Sequence, residues 1–162
     1  MKYYIDGYNL LFKLFKEEKV FEDQREEFIN FLEVKNSKFK ANFIIVFDAH
    51  HEEEEVPKHN IRNHVKIVFT SKNQTADEYI EERIFLSKNP RNIFVVSNDR
   101  RLIEHCKKLK SKTMSVEQFL SKIDEVKTDI KSTSNHFEDT EENIERLKRI
   151  FEEKMKRKED FY

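Results

Sequence analysis

The run Asn42-Phe43-Ile44-Ile45-Val46-Phe47 is apolar on both of its alternating faces. A strand of that kind has to be covered from both sides, which calls for a mainly parallel sheet with helices above and below it. The rest of the chain supplies the parts. Residues 2–5 read as a short strand that Asp6-Gly7-Tyr8-Asn9 ends before an amphipathic stretch over residues 10–15. A second helical pattern carries Phe28, Ile29, Phe31 and Leu32 on one side, and polar residues 35–40 lead from it into the apolar run. After an acidic loop, residues 65–69 form a third strand, residues 93–96 a fourth and Thr113-Met114 a short fifth. Thr75 with Glu78 and Ser115 with Gln118 are capping boxes that open two helices, and Leu102, Ile103, Cys106 and Leu109 mark another after Asp99. Strands alternating with helices give an α/β fold with three layers, α/β/α, and a sheet of four to five mainly parallel strands.

This pattern occupies residues 1–124. Residues 125–138 are polar, rich in Lys, Ser and Thr, and read as a linker. In residues 139–162, Ile144, Leu147, Phe151 and Met155 recur at helical spacing within a charged segment, so a terminal amphipathic helix is expected. A chain of 162 residues suits one domain with such a tail. The 31 basic and 32 acidic residues nearly cancel, so any attraction to nucleic acid must come from a local patch. The single cysteine, Cys106, cannot form an internal disulfide, and no run approaches the roughly 18 apolar residues of a membrane span. With no secretory leader visible, a cytoplasmic protein without membrane association is expected.

The acids fall in telling places. Asp6, Asp48 and Asp99 each stand at or just past the end of an apolar strand, and Asp77 lies in the first turn of a helix that follows another. In an open parallel sheet such residues meet in the crevice at the carboxyl ends of the strands. Two carboxylates about 4 Å apart repel by on the order of 4 kcal/mol at an effective dielectric near 20, so the cluster calls for a cation. All-oxygen ligands favour Mg²⁺ or Mn²⁺, and such an ion can activate water against a phosphodiester. Asn9 is placed to orient that water or a phosphate oxygen, and Ser97 to hydrogen-bond an acid or the substrate. Each acid also has a plainer use. Asp6 would make a turn with Gly7, Asp99 would cap the next helix, Asp77 would complement a helix dipole, and Glu78 belongs to its capping box. Glu81, one turn beyond Asp77, shares its helix face and is either a further ligand or a solvated charge.

The motifs Tyr4-Ile5-Asp6-Gly7-Tyr8-Asn9, Val46-Phe47-Asp48-Ala49, Thr75-Ala76-Asp77-Glu78-Tyr79-Ile80-Glu81 and Val95-Val96-Ser97-Asn98-Asp99 occur in this order. Together they resemble the NYN domain family, and within it the YacP-like branch, over roughly residues 2–120. The resemblance implies a PIN-like fold and a metal-dependent endoribonuclease cleaving single-stranded RNA, with messenger RNA as substrate and association with the ribosome. It implies acid roles for Asp6, Asp77 and Asp99, with Asp48 and Asn9 in support; Glu78, Glu81 and Asn98 are candidates for the surrounding layer. The stretch His50-His51-Glu52-Glu53-Glu54-Glu55 departs from the family's pattern.

Arg100, Arg101, Lys107, Lys108, Lys110 and Lys112 follow directly on Asp99, which makes one helix and its exit a candidate rim for RNA phosphates, or else a solvated face. Tyr8 is either a base-stacking platform or a core residue. His50, His51, His59 and His64 fall in one region without a cysteine and match no compact zinc module. The basic end of the expected last helix, Lys154, Lys156, Arg157 and Lys158, would meet RNA or a partner if it does not pack on the domain. The rival to the enzyme is an RNA- or ribosome-binding adaptor with the same fold. A receiver-like domain would want a second acid after Asp6, where Gly7 stands instead.

Overall fold

The computed structural model describes residues 1–15, 22–49 and 57–125, together with Glu145, Lys148 and Arg149. The loop residues 50–55, the expected linker from residue 126 onward and nearly all of the expected terminal helix lie outside the described residues. The strands are β1 (Lys2–Asp6), β2 (Asn42–Phe47), β3 (Lys58–Arg62), β4 (Val65–Phe69), β5 (Ile93–Val96) and β6 (Lys112–Met114). They form one sheet in the order β3-β4-β2-β1-β5-β6, parallel except for β3. The helices are α1 (Gly7–Phe15), α2 (Glu22–Phe39), α3 (Ala76–Phe85), α4 (Arg100–Lys108) and α5 (Val116–Glu125).

The sheet has apolar side chains on both faces, and each face has its own core. On one side Tyr3, Ile5, Phe43, Ile45, Phe47 and Ile67 pack with Leu10 and Leu14 of α1, Phe28 and Leu32 of α2, and Phe119 and Ile123 of α5. On the other, Tyr4, Ile44, Val46, Val68 and Val95 pack with Tyr79, Ile80 and Ile84 of α3 and Leu102 and Cys106 of α4. This is the expected three-layer arrangement, with β2 covered on both sides.

Two features differ from the expectation. The sheet has six strands because β3, at the antiparallel edge, lies within what reads as an exposed connection; four of its five residues are exposed, and Ile61 is 72% exposed. Lys58-His59-Asn60-Ile61-Arg62 carries no apolar alternation, as suits an edge strand that needs no second partner. The polar residues 35–40 also do more than connect. α2 continues to Phe39, Lys35 is buried in an ion pair with Asp124 at 3.0 Å, and the left-handed Lys40 (φ 52°) ends the helix. Asn36 then accepts the Ala41 N–H at 3.1 Å, which feeds the chain into β2.

Candidate active site

The chain runs from β1 outward to β2 and β4, then returns to β5 on the other flank of β1, so the order of strands reverses beside β1. Beyond the carboxyl ends at this reversal lies a crevice of about 390 Å³ whose lining includes Asp6, Asp48, Asp77, Glu78, Glu81 and Asp99, with Tyr8, Asn9, Phe12, Thr75 and Arg101. Four elements with no sequence proximity are needed to bring these acids together.

The plain uses of the acids and their gathering are one geometry. Asp6 Oδ1 accepts the Asn9 N–H at 3.2 Å in the first turn of α1, Asp99 Oδ1 accepts the Leu102 N–H at 3.0 Å as the cap of α4, and Asp48 Oδ1 accepts the Ala76 N–H at the start of α3. Each of these carboxylates is thus aimed by a backbone donor at one oxygen, while its other oxygen is available to a ligand or a neighbouring hydroxyl. Thr75 and Glu78 make the full capping box of α3, which fixes Asp77 in the same first turn.

Ser97 is fully buried beneath this layer, its Oγ donating to Asp6 Oδ2 at 3.4 Å and accepting the Asp99 N–H at 3.0 Å. Asn9 Oδ1 accepts the Asn98 N–H at 2.8 Å, tying α1 to the loop after β5 and leaving its amide NH₂ for other contacts. Asn98 in turn accepts the Val116 N–H at 2.9 Å and donates to Glu117 at 3.1 Å, so its side chain holds α5 rather than lining the crevice.

The electrostatics are those of crowded anions. Asp6, 9% exposed, has its pKa pushed up to about 7, first by burial and then by Asp77 and Asp48, against the hydrogen bonds from Asn9 and Ser97. Asp77 is pushed up to about 6 by burial and by Asp99, Asp48 and Glu81, with Arg101 opposing. Arg101 is the one cation among the described lining residues. Among the described residues no three His, Cys, Asp or Glu side chains are already drawn up as a ligand group. The donor set nevertheless fits a hard divalent cation, because Mg²⁺ holds most of its shell as water and is bound through one or two carboxylates.

Of the basic residues expected at the rim, Arg101 lines the crevice, whereas Arg100, Lys107 and Lys108 do not. Lys112 lies over the Phe94 ring at 5.2 Å and faces elsewhere. Tyr8 packs into the core edge and also borders the crevice. It packs edge-on to Phe47 at 5.1 Å and stacks on Phe12 at 5.9 Å, and both Tyr8 and Phe12 border the crevice.

Sequence reading missed Phe12, which is 42% exposed and four residues from Tyr8 on α1; that spacing was the available signal. It also missed His105, whose Nδ1 stands 2.9 Å from Glu81 Oε1 across the α3–α4 contact. Only the packing of two helices discloses that pair. His59 and His64 join no metal-ligating group among the described residues, and His50 and His51 lie outside them.

A doubly covered parallel sheet with a carboxylate crevice at its strand reversal is an α/β architecture of the kind an NYN domain has. The chain belongs to the YacP-like NYN domain family, whose model matches residues 3–161. That membership supports a nuclease-type, RNA-related function, and NYN/PIN-like nucleases usually use divalent metals. The crystal structure of Rae1 (YacP) from Bacillus subtilis is similar, with a TM-score of 0.63 and 24% identity over 99% of this chain and 87% of that one. A mutant form of Rae1 gives a TM-score of 0.62 and 24% identity over 78% and 76%. These likenesses are of fold. No curated protein matches. Among the described residues, no helix is long and apolar enough to cross a membrane.

Proposed function

We propose that this protein is an endoribonuclease that hydrolyses single-stranded RNA with Mg²⁺ or Mn²⁺ held at Asp6, Asp48, Asp77 and Asp99, acting on messenger RNA in association with the ribosome. The observation that carries the reading is the convergence of Asp6, Asp48, Asp77 and Asp99 on one crevice whose described lining holds Arg101 as its one cation, where burial first and then the neighbouring acids raise the pKa values of Asp6 and Asp77. A bound divalent ion would supply charge neutralisation at this cluster and an activated water near it. The chain's own groups do the positioning. Backbone donors at three helix starts aim Asp6, Asp48 and Asp99, and buried Ser97 couples Asp6 to the backbone of Asp99. The Asn9 NH₂, whose carbonyl partner is already committed, suits a phosphate oxygen or the attacking water. Arg101 suits a phosphate, and Tyr8 with Phe12 suits a base. Glu81, with His105, and Glu78 complete the acidic surround.

The test is cleavage of a labelled single-stranded RNA with Mn²⁺, Mg²⁺ or EDTA, in the parent and in Asp6→Asn, with and without ribosomes. Cutting that needs metal and is lost in Asp6→Asn is the expected result, and absence of cutting in every condition would refute it. The second reading, an RNA- or ribosome-binding adaptor, draws on the lack of a preformed three-acid ligand group among the described residues. It expects binding without cleavage.

A further inference from the structure

Along β1, Lys2, Tyr4 and Asp6 share the face that α3 covers, by the two-residue period of a strand. Asp6 ends in the acidic crevice. Lys2 stands at the other end, in a second cleft of about 780 Å³ that also takes in β4, β3 and the last turn of α3. Its described lining contains Lys2, Lys66, Arg83, Lys88 and His59 and no Asp or Glu. In a chain whose 31 bases and 32 acids nearly balance, such segregation creates a local positive potential. None of the four cations is ion-paired among the described residues.

Arg83 has a donor left unused, although its side chain also hydrogen-bonds that of Tyr79. Its guanidinium lies over the Tyr79 ring at 4.9 Å, and its Nε is buried with no hydrogen-bond partner among the described residues. A phosphate oxygen is the acceptor that a guanidinium fork fits best. The positive field also reaches His59, whose pKa is lowered by burial and then by Lys66 and Arg83.

We propose that this cleft is a second nucleic-acid site, holding backbone phosphates of single-stranded RNA whose adjoining stretch lies at the acidic crevice. Two observations favour RNA over a small phosphorylated ligand. The cations come from β1, β4, α3 and the segment after α3, so they are distributed around the cleft as successive phosphates would require. The crevice itself has six acids against Arg101 in its described lining, so a polyanion needs its electrostatic attraction elsewhere. Lys2 and Asp6 are about 13 Å apart along the strand, at ~3.3 Å per residue, and because α3 covers the strand between them the RNA would pass outside α3 from one cleft to the other.

The inference rests on the RNA-directed reading of the crevice, and binding without cleavage separates the two. Affinity of the full chain for a labelled single-stranded RNA is measured in EDTA across a salt series, for the parent and for Lys2→Gln/Lys66→Gln/Lys88→Gln. The expected result is weaker binding with a log–log salt slope shallower by about 2, at roughly 0.7 per phosphate contact. An unchanged slope, a parent that does not bind RNA, or displacement of the RNA by an equal concentration of mononucleotide would overturn it. A parent that cuts RNA beside an unchanged slope would sink the cleft and spare the nuclease. A slope that drops in a protein that never cuts would do the reverse.

Discussion

Asp6 is where turn, sheet edge and chemistry meet in one side chain, and its protonation can be read in stability. The ordinary carboxyl releases its proton near pH 4, whereas in the fold Asp6 keeps it until about pH 7. Between those values the folded state binds more protons than the unfolded one, so this residue's stabilisation, complete below pH 4, is lost as the pH rises through 7. The loss is at most on the order of 4 kcal/mol, at about 1.4 kcal/mol per pH unit. In metal-free buffer Asp6→Asn is therefore expected to be more stable than the parent at pH 8, with the advantage gone by pH 4. Urea midpoints at the two pH values check this, and a mutant less stable at pH 8 would contradict it. The same substitution should lower cleavage by roughly two orders of magnitude or more if Asp6 holds the metal. Gly7, the only glycine, is explained by space rather than by a left-handed backbone. A Cβ there would fall against the Phe47 ring, and no glycine has positive φ. Gly7→Ala should cost about 1–3 kcal/mol by overpacking, and Phe47→Leu in the same chain should recover part of it. Additive losses in the double mutant would show that the contact is not the cause.

Elements whose purpose is local were legible, and those whose purpose is tertiary were not. The capping boxes of α3 and α5 stand where Thr75, Glu78, Ser115 and Gln118 put them, because a cap is settled within four residues. β3 was hidden because an exposed edge strand needs only one hydrogen-bonding partner and no apolar face. The C-terminal half of α2 was hidden because Lys35 looks solvated until Asp124, 89 residues away, is brought to it. That pair is nearly excluded from water, with both side chains 9% exposed. Removing one partner, as in Asp124→Ala, should cost roughly 3–5 kcal/mol, whereas Lys35→Met/Asp124→Leu should be close to neutral. Chemical denaturation of both variants decides it, and equal losses would mean that packing rather than charge holds α2 to α5. For α4, sequence marked a continuous basic helix, but its nine residues carry Lys107 and Lys108 about 10 Å from the crevice at ~1.5 Å per residue. Arg101→Gln should therefore weaken RNA binding more than Arg100→Gln, as read from the two dissociation constants. The reverse order would move the RNA path to the outer face of α4.

At the scale of the whole molecule, the sheet was legible because a parallel sheet leaves no freedom about which ends of its strands converge. Acids at the ends of β1, β2 and β5 had to share an edge once those strands were parallel. The basic cleft at the opposite edge was not legible, since Lys2, Lys66, Arg83 and Lys88 are unremarkable singly and become a set only through the order of the strands. The described residues are thus polarised along the strands, with an acidic crevice at their carboxyl ends and a basic cleft at the other. Its folded state carries the cost of that anionic end until something neutralises it. A divalent cation that binds only the folded chain should stabilise it by mass action, by about 2.7 kcal/mol at 100 times its dissociation constant. Thermal unfolding at pH 8 should accordingly shift upward with Mn²⁺, saturating with concentration, and much less at pH 5, where Asp6 and Asp77 are largely protonated and compete with the ion. The shift should disappear in Asp6→Asn/Asp77→Asn and persist in Lys2→Gln/Lys66→Gln/Lys88→Gln. An equal shift in all three proteins would mean that the ion acts by screening the whole chain, and the crevice would lose its claim to it.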